Sequence, residues 1–516
     1  MDNHNNQILV GIDDMVAYLP ALYLPIETLA EKRAIEYAKL NKGLGLKEMS
    51  FPDVHEDAAT MAANAVLKLI LQNELNPRSI GRIYVGTESA TDGSKPVASY
   101  VLGMLTEYLA PVYGEDCMTY CDVVDLTFAC IGAVDAIQNT TDWIAGGSNR
   151  MGIVVGSDIA KYELESTGEY TQGAGAVACL IKANPRLIAF NKEWGVATKD
   201  VHDFFKPVRQ ITKAELVDEV LKLAGINGIT AEGILGKLNG HIDNQAVVGM
   251  PDAVIHLHKE TPVFDGPYSN DCYQERIKQA LTHFACMKGI ADQEEITKDW
   301  SRLIFHLPYA YQARRMYPEI YIEEAKKRGE LGLLEQQIEM EAPVREQFEN
   351  EEDFNLANKK FIKAVSKSPI YRAFVKDKIE KGERASSRVG NLYTSSILLS
   401  IMSTLEADLQ EDNSLEGKVL GFFAYGSGSK SKVFEGVVQD EWAAVTERFK
   451  LTDQLDQRQA IDYSTYESLH RGKLKAAVNN TDHDVFYLKE IHTQRDNQEG
   501  ARMYAAKKSI SNVALR

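Results

Sequence analysis

With 516 residues, 44% of them apolar and 25% charged, the chain has the composition of an ordinary globular protein and room for more than one structural unit. A net charge of −17 argues against nucleic-acid binding as the main task. No stretch approaches the ~18 uninterrupted apolar residues of a membrane span, and the polar start MDNHNNQILVGI lacks the order of a signal peptide, so neither membrane insertion nor export is expected.

Six cysteines in so long a chain read as free thiols in a reducing cytoplasm rather than as a disulfide framework. In chain order, SIGRIYVGTES predicts a strand over Ile80–Val85 running into Glu88. Cys117 and Cys121 follow, four apart. No second Cys/His pair accompanies them at ligand spacing, so no metal site is expected. In VVDLTFACIGAVDAIQNTTDWI a β-favouring run ends at Phe128, and Ile131, Val134, Ile137 and Ile144 then recur on one helical face. A strand therefore gives way to a helix close to Cys130. RMGIVVGSDIA, 150–160, reads as a strand ending in a Gly/Ser turn, and WSRLIFHLPYA as a strand over Leu303–Phe305 running into His306. The acid-rich run from Glu319 to Asp353 reads as solvated helices. The basic run from Lys359 to Arg388 reads either as another or as a surface for a phosphate-bearing ligand. In SSRVGNLYTSSILLSIMSTL, Gly390 and Asn391 precede a helix carrying Ile397, Ile401 and Leu405. KVLGFFAYGSGSK then repeats the strand-to-Gly/Ser pattern.

These patterns return in the same order, which predicts two related α/β halves. Glu88, Cys130, His306 and Asn391 then all lie at strand ends or helix starts, where α/β sheets place their ligand sites. A helix start carries partial positive charge and free N–H groups. It stabilises a thiolate and can hold the oxyanion formed when a thioester is attacked. Cys130 at such a joint is a candidate nucleophile, the alternative being a small buried core residue. From the residues alone Glu88 reads first as a helix cap, and His306 equally as a satisfied strand-end histidine.

The motifs resemble those of the 3-hydroxy-3-methylglutaryl-CoA synthases, condensing enzymes of the thiolase-like superfamily. GTES at Gly86–Ser89, ACIG at Ala129–Gly132, YTQGAGAVACLI at Tyr170–Ile181 and VHDFFKP at Val201–Pro207 are similar to family motifs. So are VFDGPYSNDCY, FHLPYA, GNLYT and FAYGSGS, collinear over most of the chain. The resemblance implies a layered αβαβα fold of two pseudo-duplicated halves, residues 1–190 with Glu88 and Cys130 and residues 191–516 with His306 and Asn391. It implies acetyl-CoA and acetoacetyl-CoA as substrates, no cofactor or metal, a cytoplasmic homodimer, and a place in the mevalonate route of isoprenoid biosynthesis. Residue by residue, it makes Cys130 the nucleophile, Glu88 the base for the acetyl methyl, and His306 the acid or binding group for the acceptor. Asn391 and Ser427 would hydrogen-bond acceptor or product, with Tyr162 and Asp203 nearby.

Three departures stand out. The lysine that the family usually carries five residues after the histidine is Tyr311 here, and Arg314 and Arg315 are candidates to replace its charge. Extra residues, including GEDCMTYCD, lie between Glu88 and Cys130. An insert at about 208–263 follows FFKP. Its KAELVDEVLKLAG and AEGILGKLNGHI predict two or three amphipathic helices on the surface, near the acceptor entrance or a subunit contact, and His256 and His258 read as strand or loop residues. The insert and the missing lysine suit a relative that takes carrier-protein thioesters for polyketide β-branching, with an acyl carrier protein as partner. The full acceptor motif set suits CoA substrates. A decayed, non-catalytic relative is disfavoured by the presence of Cys130, Glu88 and His306.

Overall fold

The computed structural model describes residues 8–147, 150–238, 254–479, 485–494 and 496–507. Nine strands share one sheet: β1 (Val10–Tyr18), β2 (Arg82–Gly86), β3 (Asp122–Leu126), β4 (Met151–Ala160), β5 (Gly173–Ala183), β6 (Ile188–Thr198), β7 (Trp300–Phe305), β8 (Val419–Gly426) and β9 (Lys430–Val438). Their order is β7-β8-β9-β6-β1-β5-β4-β2-β3. Only Gly11–Ala189 and Ile12–Ile188 join β1 to β6, so the sheet is two sheets meeting at a narrow antiparallel seam. On one side of the seam β5 is antiparallel to both neighbours and β2 is parallel to β4. On the other, β9 is antiparallel to both neighbours and β7 is parallel to β8. The repeat seen in the sequence is thus a repeat of strand pairing. It breaks at one place: β3 precedes Cys130, whereas the helix Glu380–Val389 precedes Asn391.

Helices α1 (Ala58–Gln72) and α3 (Gly266–Lys288) cover the outer faces, while α2 (Gly132–Ala145) and α4 (Ser396–Gln410) lie between the two sheets. One apolar cluster joins Val134, Ile137 and Ile144 of α2 to Ile397, Ile401 and Leu405 of α4 and to both sheets. Two further clusters fill the outer layers. This is the αβαβα layering of a thiolase-like fold. Sandwiched strands read as near-continuous apolar runs because both faces are covered, as in AGAVACLI of β5.

The line expected after residue 190 falls inside β6. Later segments also return to the first half. Gln459–Ala460 pairs with Leu22–Pro25, and the hairpin of Phe486–Ile491 and Arg502–Ala506 lies on α1, where Asn64 bonds the main chain of Val485 and Phe486.

The insert rises from a neck in which Phe204–Phe205 pairs with Val263–Phe264. A second pairing, Arg209–Thr212 with Val254–Leu257, leads to the helices Lys213–Leu223 and Ala231–Leu238. The first helix starts at a capping box of Thr212 and Glu215. His256 lies in a strand and His258 in the loop after it; the rest of the expected helical stretch, from Asn239, lies outside the described residues. Among the described residues no helix is long and apolar enough to cross a membrane.

Candidate active site

The close meeting of β2 with the start of α2 depends on two glycines. A Cβ on Gly86 would come within 2.2 Å of Ala133 N, and one on Gly132 within 2.4 Å of Leu126 O. Their absence lets the helix start sit against the strand ends. Ala129, with φ +41°, turns the chain from strand to helix just before Cys130. The outcome is a direct contact: the Cys130 thiol donates to Glu88 Oε1 at 3.0 Å.

Glu88 is held from behind. Asp158 on β4 accepts from Glu88 N at 2.7 Å and from Ser89 Oγ at 3.0 Å, and its other oxygen accepts from Thr394 N and Oγ1 at 3.0 and 2.6 Å. One carboxylate thereby ties the two halves together beneath the site. Burial, reinforced by the Asp158 charge, raises the Glu88 pKa to about 7 against the opposing pull of Lys206. Lys206 Nζ donates to the Glu88 carbonyl at 3.1 Å, lies 3.9 Å from Oε2, and sits 4.7 Å over the Tyr393 ring. Burial and the Glu88 carboxylate push the Cys130 thiol well up. The expected thiolate stabilisation by the helix start is therefore outweighed, because burial first and the contacting Glu88 carboxyl second oppose the partial charge of a helix end. At rest the proton stays on sulfur.

Cys130 opens onto a cavity of about 360 Å³ whose wall includes Tyr162, His306, Asn391, Ser427 and Arg315. His306 follows β7. Its N–H continues the ladder to Phe423 O at 2.9 Å, and its carbonyl accepts from Tyr273 Oη at 2.8 Å. Neither ring nitrogen has a partner among the described residues, and burial lowers its pKa to about 3. His306 is a neutral imidazole offering one donor and one acceptor to whatever fills the cavity. Asn391 uses Oδ1 to accept from Tyr393 N at 2.8 Å, which leaves its amide N–H group for a ligand. The main chain of Tyr162 is gripped from both sides: its N–H donates to Gln172 Oε1 at 2.7 Å, and its carbonyl accepts from His470 Nε2 at 2.8 Å.

Two expected ligand residues are turned away. Asp203 is buried, accepting from Tyr425 Oη at 2.8 Å, Ser269 Oγ at 3.1 Å and Gly428 N at 2.8 Å. It braces the Gly/Ser turn that carries Ser427 and does not line the cavity. Arg314 is bound by Glu383 through two nitrogens and stacks on the Tyr311 ring at 3.8 Å, so it cannot replace the missing lysine charge. Tyr311 in turn fills the space beside Gly45. Of the two arginines only Arg315 reaches the cavity.

Asp158 and Lys206 received no role from the sequence, although both stood in quoted motifs. A lysine between FF and P was the available signal, since an ammonium among aromatic residues has to find a partner.

Residues 7–185 match the family model for the N-terminal region of hydroxymethylglutaryl-coenzyme A synthase, and residues 254–496 match the model for its C-terminal region. The chain belongs to the hydroxymethylglutaryl-CoA synthase family. A hydroxymethylglutaryl-CoA synthase of Haloferax volcanii is 31% identical over 464 residues, covering 89% of this chain and 91% of the relative. One from Enterococcus faecalis is 26% identical over 472 residues, covering 92% and 94%. Among solved structures, MvaS in complex with 3-hydroxy-3-methylglutaryl coenzyme A superposes with a TM-score of 0.70 at 27% identity, over 97% of this chain and 99% of that one. The curacin-pathway HMG synthase with apo donor-ACP, at 18% identity and a TM-score of 0.67, shares the fold. The two matched regions leave residues 186–253 between them, which hold most of the insert.

Proposed function

We propose that this synthase condenses acetyl-CoA with acetoacetyl-CoA and water to give 3-hydroxy-3-methylglutaryl-CoA and free CoA, through an acetyl group carried on Cys130. The observation that supports this most is the 3.0 Å contact between the Cys130 thiol and a buried carboxyl whose pKa is near 7. Cys130 sulfur attacks the acetyl-CoA carbonyl as its proton passes to Glu88, and the departing CoA sulfur takes that proton. Glu88, ionised again, removes a proton from the acetyl methyl. The carbanion adds to the ketone carbon of the acceptor, the neutral His306 N–H hydrogen-bonds the ketone oxygen as it gains charge, and the resulting alkoxide takes up the proton that Glu88 removed from the methyl. Water then cleaves the Cys130 thioester and releases the product. Asn391 and Ser427 face the same cavity and serve acceptor or product, with Tyr162 shaping the wall.

The protein works as a homodimer in this reading. β3 is an edge of the sheet and exposes Val124, with Tyr120 beside it 91% exposed, which suits coverage by a second copy. It acts in the cytoplasm and feeds the mevalonate route. A carrier-protein acceptor remains the second reading, favoured by the aromatic Tyr311 where the family has a lysine. Incubation with labelled acetyl-CoA should place one acetyl group on Cys130 and none on Cys130→Ala. Parallel assays with acetoacetyl-CoA and acetoacetyl-carrier protein identify the acceptor. Labelling that persists in Cys130→Ala would sink the reading.

A further inference from the structure

Burial and a neighbouring carboxylate both work against an ionised Glu88. The groups that face it are the Cys130 thiol, the Asp158 carboxyl, the Tyr162 and Tyr393 phenols, and Lys206. Four of these are neutral or negative. Lys206 is the one cation among them, and its position is over-determined: Nζ bonds the Glu88 carbonyl, lies 3.9 Å from Oε2 and rests on the Tyr393 ring. The residue before it, Phe205, is fixed by pairing with Val263 in the neck of the insert. Pro207, the residue after it, is restricted in φ. Glu260, on the return leg of the insert, accepts from Lys161 at 2.9 Å and also feels the Lys206 charge.

We propose that Lys206 is a positioning residue that fixes the Glu88 carboxyl and favours its ionised form, and that the neck of the insert holds it there. The inference rests on Glu88 acting as base. Lys206 acts through Glu88 and is not assigned a contact with substrate. Its bond to the Glu88 carbonyl fixes where the carboxylate stands, and its charge fixes whether that group can accept a proton. An opposite charge at this distance shifts a carboxyl by roughly one unit or more. Without it the base holds its proton to a higher pH.

The test is the pH dependence of condensation in Lys206→Gln, Lys206→Met and Lys206→Arg, beside that of Cys130 alkylation by iodoacetamide, which needs no thioester. The neutral variants should move the acidic limb of both profiles up by roughly one pH unit, leaving the plateau rate at high pH within a few-fold of the parent. Near pH 7 that gives roughly a fivefold loss. Lys206→Arg should restore the limb. KM for the acceptor should change little, because Lys206 does not line the cavity. A limb that stays in place while the rate falls at every pH overturns the proposal. So does failure of both neutral variants to fold beside a folded Lys206→Arg, which would make Lys206 a scaffold residue. A parent protein that alkylates with the expected limb yet forms no condensation product overturns the proposed function and leaves this inference standing.

Discussion

Cys130 and Glu88 meet at 3.0 Å although they sit on different elements, one at the start of α2 and the other past the end of β2. The contact gives Glu88 two protons to handle in turn, that of the thiol and that of the acetyl methyl. The demands differ. Acyl transfer can proceed slowly with water as proton acceptor, whereas the methyl proton is far less acidic and needs a positioned base. Glu88→Gln should therefore slow acetylation of Cys130 modestly and lower condensation by at least ~10²-fold. Because the Glu88 pKa is raised to about 7, turnover of the parent should rise with pH through neutrality as the carboxyl loses its proton. Measuring acetyl-enzyme and overall turnover in one preparation decides the matter. An equal fall in both would confine Glu88 to acylation.

His306 should contribute no limb to the pH–rate profile between pH 5 and 8, since its pKa lies near 3. The sign for stability follows from the same depression. The folded state binds this proton less readily than the unfolded chain does, so stability is full above pH 6.5 and declines as pH falls toward 3. His306→Gln should soften that acid loss in thermal midpoints. It should also weaken acceptor use while leaving Cys130 acetylation intact. An acid-stability profile identical to that of the parent would mean that the ring is charged or solvated.

Arg314 and Arg315 are adjacent in sequence and should behave oppositely. Arg314→Ala leaves the Glu383 carboxyl buried without its guanidinium, a loss of about 2–4 kcal/mol of stability with acceptor KM unchanged. Arg315→Ala should leave stability alone and raise acceptor KM roughly fivefold, the size of a charge contact at an exposed mouth. Denaturant midpoints and Michaelis curves for the pair separate the roles. A shared phenotype would refute the division.

Excision of the insert between Arg209 and Leu257, closed by a short turn, keeps the Phe204–Phe205 and Val263–Phe264 neck that walls the cavity. Cys130 acetylation should survive, and any change should appear in acceptor KM or in oligomeric state by light scattering. Loss of acetylation in a folded protein would place the excised residues in the site.

The strand-to-helix joint at Cys130 and the echo between halves were legible because local periodicity and short motifs encode them, whereas the grouping of His306, Asn391, Ser427 and Tyr162 at one cavity was implied only by the family resemblance. The division between Arg314 and Arg315 was not. They lie on a helix of only five residues, Gln312–Met316, too short for periodicity to set which side faces the ligand. Asp203 stood in a recognised motif, yet proximity in a motif does not say whether a carboxylate meets substrate or braces a turn. The grip on Tyr162 was invisible for another reason: its partner His470 is 308 residues away in the chain.

That grip bears on how the protein is made. Tyr466 accepts from Gln172 at 2.7 Å and donates to Glu169 at 3.1 Å, Arg33 holds the same Glu169, and Asn64 waits for Val485 and Phe486. During translation at ~5–20 residues per second the first half leaves the ribosome many seconds before these partners do. Cys130 and Glu88 are synthesised early, but the cavity wall beside them cannot lock until the chain past residue 470 has emerged. A nascent chain thus carries the nucleophile without a finished acceptor site, and the two become one machine only after His470 and the segment beyond it have been made.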